Sequence, residues 1–200
     1  MLTRRLNASD FCNNWVYRGA IMSNWNLIVT TTEGKYTQAL GFLARFGIVK
    51  PTSYYNVVMM EVRDMPELME FLAREWESRG GRLLLLQRVV PMSHTFHFRD
   101  HKAFGMRAVE IVSGWTDRLA GKTFHVRMHR RGFKDRLHSE EDERFLNTTI
   151  VDATTQFGNP AVVSFEDPDM VVAVETIGTQ AGMSLWPRED LQRYPFLHIR

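Results

Sequence analysis

The chain has 200 residues, 44% of them hydrophobic, and a formal net charge of +2; this is ordinary globular composition and argues against a disordered or fibrous chain. So small a net charge does not select a polyanionic partner, and any such argument must rest on how charge is segregated along the sequence. The single cysteine, Cys12, excludes an intramolecular disulfide framework and a multi-cysteine metal site and fits a reducing compartment, the cytoplasm, while no apolar run reaches the roughly 18 residues a membrane helix needs.

Residues 1–25 show no period and read as an N-terminal extension, with Met22-Ser-Asn-Trp25 a natural start before the first strand. Polar residues interrupt any signal-peptide core there, and Cys12 has no patterned base near it to make it a nucleophile. From Asn26 to Phe98 the order is strand, helix, strand, strand, helix, strand. Asn26 to Thr31 is β-rich, and Tyr36, Ala39, Leu40, Leu43 and Phe46 then share a helical face that Gly47 ends. A short Ile48–Val49 strand precedes Pro51, and Tyr55 to Val62 is the next strand. Asp64 with Glu67 three residues on predicts a capped helix burying Leu68, Met69, Leu72 and Trp76. Gly80-Gly81 stops it, and the apolar run Leu83 to Val90 predicts a central strand. This is the split βαβ order of a ferredoxin-like domain over residues 26–98.

Residues 99–200 form the second predicted unit. His94 to Phe98 is a connecting strand, and Phe104, Ala108, Ile111, Val112, Trp115 and Leu119 predict one amphipathic helix from His101 to Ala120. In the strand that follows, Phe124, Val126 and Met128 share one face and His125, Arg127 and His129 the other. Ser139 and the acidic run Glu140 to Glu143 predict a helix start with a hydroxyl cap. Leu146, Ile150, Ala153 and Phe157 form that helix's stripe. Strands at Ala161–Phe165 and Met170–Ile177 follow, joined through Asp167-Pro-Asp169.

From Lys122 to Arg136 there are six cations and one acid, so the field is local. A strand and loop this rich in guanidinium and ammonium groups suits phosphate. Arg127, His129, Arg130, Arg131, Lys134 and Arg136 are the expected RNA contacts, with Phe133 at the loop tip as a base-stacking platform or a core cap, and Arg188 and Arg193 as further candidates. Four or five neutralised phosphates would make a log–log salt slope of about −3.

The Arg130-Arg-Gly132 turn, the Ser/Glu-rich helix start, Asp167-Pro-Asp-Met-Val-Val-Ala-Val-Glu175 and Ser184-Leu-Trp186 together resemble the THUMP domain, over about residues 95–197. The resemblance implies an α+β protein, a ferredoxin-like domain followed by a THUMP-like domain, that binds tRNA by its acceptor stem and 3′ end. Arg88-Val-Val-Pro91 and Tyr194-Pro-Phe-Leu197 are similar to stand-alone THUMP proteins that present tRNA to a separate enzyme for cytidine acetylation. Because no Gly-rich cofactor loop, P-loop or deaminase His/Cys set follows the THUMP-like segment, the expectation is a non-catalytic adaptor with no cofactor and no resident metal.

Two other readings compete. Asp167, Asp169 and Glu175 with a divalent metal would make a small RNA-modifying or RNA-cleaving enzyme, and the basic face could instead meet an acidic protein. His94, His97 and His101 lack a well-spaced ligand partner for metal.

Overall fold

A computed structural model describes residues 25–133 and 137–199. The expected extension, Trp25 apart, and the loop residues Lys134 and Arg136 lie outside the described residues. The protein is α+β, with two sheets among the described residues.

The first sheet contains β1 (Leu27–Thr31), β2 (Gly47–Pro51), β3 (Val57–Val62) and β4 (Leu86–Pro91), in the order β2-β3-β1-β4 with antiparallel neighbours. Helices α1 (Tyr36–Leu43) and α2 (Met65–Ser78) supply the crossovers, giving the expected βαββαβ sequence of elements. The α2 start forms as predicted: the Asp64 side chain accepts from the Glu67 amide at 2.9 Å, satisfying one of the amides a helix leaves unpaired. Leu68, Met69 and Leu72 are buried beneath it.

Two expectations change here. Helix α1 stops at Leu43, and Gly47 begins β2, where a Cβ would lie 2.1 Å from the Glu61 carbonyl oxygen; the glycine serves a close strand contact. The apolar run after Gly81 gives an edge strand rather than a central one. Its hydrophobicity is accounted for by what covers it. The C-terminal residues Tyr194, Phe196 and Leu197 are buried in the same core as Leu86, Val89 and Val90.

The second sheet contains β5 (His94–His97), β6 (Thr123–Arg131), β7 (Val162–Val163), β8 (Met170–Ile177) and β9 (Gln180–Pro187), in the order β5-β9-β8-β6-β7. β6 runs parallel to β7 and β8, whereas β8 and β9 form an antiparallel hairpin through Gly178 and Thr179. The predicted 101–120 helix is two: α3 (His101–Ser113) and a single turn α4 (Thr116–Leu119), broken at Gly114 and Trp115, since glycine is among the weakest helix formers. Helix α5 (Ser139–Gln156) starts at Ser139, so the N-cap is His138, and its side chain makes no capping bond. The predicted 161–165 strand shortens to two residues, and β9 is a strand the sequence reading does not assign.

β8 explains how the two sheets join. All eight of its residues are buried, because alternate side chains enter different cores. Met170, Val172 and Val174 pack with α3, α5 and β6, while Val171, Ala173 and Ile177 join the core of the first sheet. The chain then continues into α6 (Arg188–Arg193) and a 3-10 turn (Pro195–Leu197) that lie against the first unit. There the Tyr194 hydroxyl donates to Glu70 of α2 at 2.6 Å, and the Trp76 and Phe196 rings lie 6.1 Å apart. No helix among the described residues is long and apolar enough to cross a membrane.

Candidate nucleic-acid interface

β6 carries the site because its two faces have opposite fates. Phe124, Val126 and Met128 enter the core under α3 and α5. Of the other face, Arg127 and His129 remain exposed. Beyond β7 the strand edge has no further strand among the described residues, and α5 completes it: the Val126 amide donates to Asn147 Oδ1 at 3.0 Å and the Met128 amide to Glu143 Oε1 at 2.6 Å. Thus Glu143, part of the acidic run, is bound to backbone, and the strand keeps its basic face.

Beside that face lies a buried charge cluster. Glu175 of β8 is fully buried and pairs with Arg88 of β4 at 2.5 Å through one oxygen and with Arg131 of β6 at 2.5 Å through the other. Arg131 also reaches the Thr30 hydroxyl of β1 at 3.4 Å, and Arg88 donates to the His198 carbonyl at 3.2 Å. Two guanidinium groups, those of Arg88 and Arg131, therefore answer one carboxylate, and Arg127 adds a further positive field to the cluster. Partial desolvation by its neighbours lowers the His129 pKa, although the ring is exposed, and the fields of Arg88, Arg131 and Arg127 add to this against Glu175. His198 is lowered likewise, by partial desolvation and then by Arg88.

The expected contact residues divide accordingly. Arg127 and His129 are presented together on the surface, and Arg127 has no ion-pair partner among the described residues. Arg131 is held in the Glu175 pair and is 15% exposed, where it also helps to join the two sheets through Thr30. Arg130 bonds the Gly132 carbonyl at 3.1 Å. Phe133 packs edge-on to Phe98 at 5.3 Å against the second core, the core-capping alternative rather than a platform. Arg188 is occupied by Asp167 and Asp169, each at 3.2 Å, and by the Pro168 and Asp167 carbonyls. Arg193 pairs with Glu70 at 2.7 Å. Both are therefore paired within the protein, and those partners would compete with a phosphate.

The metal-dependent alternative is not assembled. Asp169 accepts from the Thr123 amide and hydroxyl at 2.9 and 2.8 Å, bonds that hold its carboxyl below the usual range. Asp167 pairs with Arg188, and Glu175 is enclosed by arginines. Among the described residues no group of three His, Cys, Asp or Glu side chains could hold a metal ion.

Sequence reasoning missed Arg88, His125, Phe165 and His198. The Phe165 ring stacks on His125 with centroids 5.4 Å apart and planes at 29°, and is 70% exposed. The alternation that places His125 beside Arg127 was the available signal; the return of the 164–166 loop over it was not readable.

By sequence, no family model and no curated protein matches the chain. By fold it is similar to PH1313 of Pyrococcus horikoshii (TM-score 0.54, 13% identity, 80% of this chain and 54% of that one) and to TrmN of Thermus thermophilus (0.52, 19%, 80% and 44%). It is also similar to a 4-thiouridine synthetase solved with RNA and ATP (0.51, 15%, 82% and 42%) and to a Clostridium difficile protein described as a possible methylase (0.54, 10%, 80% and 40%). The chain spans about half or less of each. At these identities the likeness is one of fold alone, a fold shared with a 4-thiouridine synthetase among others. The expectation of a protein without catalysis, drawn from a missing cofactor loop, is corrected, because this fold occurs within longer chains that include a synthetase.

Proposed function

We propose that this fold is the RNA-holding part of a tRNA-modifying enzyme system, with the exposed face of β6 as its phosphate contact. The observation that carries this reading is Arg127, an exposed guanidinium with no counter-ion among the described residues, beside a cluster already rich in positive charge. His129 extends the strip, and Lys134 and Arg136 lie in the loop just beyond it in sequence. Phosphate contacts fix register and orientation and carry little sequence information, so selection falls to RNA shape and to a free end. The fold likeness to a synthetase solved with RNA supports the same reading.

The finer assignment is the tRNA acceptor stem and 3′ end as ligand, a cytoplasmic setting, and a separate modifying enzyme that acts at a distance from the grip. Its support is the THUMP resemblance of residues 95–197. The two segments that resemble acetylation adaptors, Arg88–Pro91 and Tyr194–Leu197, lie where the units join, so their role here is to hold the grip together. With Arg131 committed to Glu175, about three phosphates remain for Arg127, Lys134 and Arg136, and the expected log–log salt slope falls to about −2. Filter binding of the full chain to tRNA, intact or trimmed of its 3′ end, tests this. Intact tRNA should bind tightly at low salt and trimmed tRNA weakly; no binding to either would overturn the reading.

A further inference from the structure

Next to Arg127 the sheet surface carries an apolar group that packing does not explain. β7 is two residues long, Val162 is 59% exposed and Phe165 70% exposed, although isolated folds seldom leave adjoining large apolar side chains in water without a use. The Phe165 ring is nonetheless held in place. One side lies on the buried His125 ring, whose Nδ1 donates to the Ser164 carbonyl at 3.0 Å, and the Ser164 amide donates to the Phe124 carbonyl at 2.8 Å. Both backbone groups of Ser164, the residue before the ring, are thereby tied to β6. That bond places the proton of a neutral His125 on Nδ1. Burial lowers the pKa of His125 first; Arg127 lowers it too, while the Ser164 bond and Glu143 oppose the shift.

We infer that Phe165, backed by His125, is the seat for one unpaired nucleobase of the bound RNA, with Arg127 holding an adjoining phosphate. The inference deepens the RNA-binding reading above and rests on it. A flat, exposed, preorganised aromatic ring matches the π-face of any base. A guanidinium two residues along the same strand face matches the charge that follows each base along the chain. A paired base is already stacked within its helix and cannot use the seat, so the pocket selects single-stranded nucleotides without reading their identity. This also gives the grip its apolar component, which the loop-tip Phe133, folded against Phe98, does not supply.

The test uses the full chain and two RNA hairpins, one with an unpaired 3′ tail and the same hairpin cut blunt. Phe165→Ala should weaken binding of the tailed hairpin about tenfold and leave the blunt one unchanged, and Phe165→Trp should restore it. Arg127→Glu should weaken both. If Phe165→Ala binds the tailed hairpin as the parent does while Arg127→Glu loses both, the base seat is overturned and the RNA-binding reading stands. If the parent protein binds neither hairpin at low salt, both are overturned.

Discussion

Glu175 and Arg88 meet at 2.5 Å across the gap between the two sheets, with the carboxylate fully buried and the guanidinium side chain 9% exposed. Arg131 completes the arrangement from the basic strand. A carboxylate so deeply enclosed is tolerated because two cations answer it, and removing it would strand both. Glu175→Gln should therefore destabilise the protein by roughly 3–5 kcal/mol, read as a shift of the denaturant midpoint. A variant of parental stability would mean that the pair contributes nothing to joining the sheets.

The clamp and the contact residue are separable. Arg127→Ala should leave the unfolding midpoint within about 0.5 kcal/mol of the parent while reducing the RNA salt slope by about 0.7, the effect of one single-strand phosphate. Arg131→Ala should lower stability as well as affinity. Parallel denaturation and RNA titrations distinguish them, and equal losses of stability in both variants would contradict the assignment.

Gly132 stands at φ +87°, and an added Cβ would lie 2.3 Å from the Tyr54 hydroxyl. The turn after β6 is thus pressed against the first unit. Gly132→Ala should cost about 1–3 kcal/mol, from backbone strain and the clash together. Adding Tyr54→Phe should recover only part, because the left-handed backbone remains; full recovery in the double variant's melt would place the whole cost in the hydroxyl contact.

His125, His129 and His198 all have folded pKa values held below the ordinary imidazole value, with loss of hydration the leading cause in each, burial for His125 and partial desolvation for the exposed His129 and His198. Below about pH 6.5 the unfolded chain takes up protons that the folded chain resists, so stability should fall as pH drops from neutral towards about 5. RNA affinity should move the opposite way, since phosphate beside His129 favours its cationic form. Thermal melts with and without RNA across that interval check the sign; a flat melting curve would show these rings to be as hydrated as free imidazole.

The strand order of the first unit, the α2 cap at Asp64, and the in-out alternation of β6 were legible because each depends on neighbours within a few residues, where periodicity and turn chemistry act. Helix α3 was read too long, since its apolar stripe continues through Trp115, which is buried although the helix breaks there. β9 escaped because its neighbours lie on both faces: Ala181, Met183 and Leu185 join the second core and Trp186 the first, so no alternation of polar and apolar survives to mark a strand.

For the site, sequence alone determined that cations concentrate on one strand and its loop, because charge is a property of composition along a short segment. Which of those cations are available was decided by the tertiary structure. Arg131, Arg188 and Arg193 each meet a carboxylate brought from 44, 21 or 19, and 123 residues away in the chain, and no local pattern encodes such a meeting. Arg127 stays open for the same reason in reverse: among the described residues the fold pairs no acid with it, and Glu143 of α5 accepts instead from the Met128 amide.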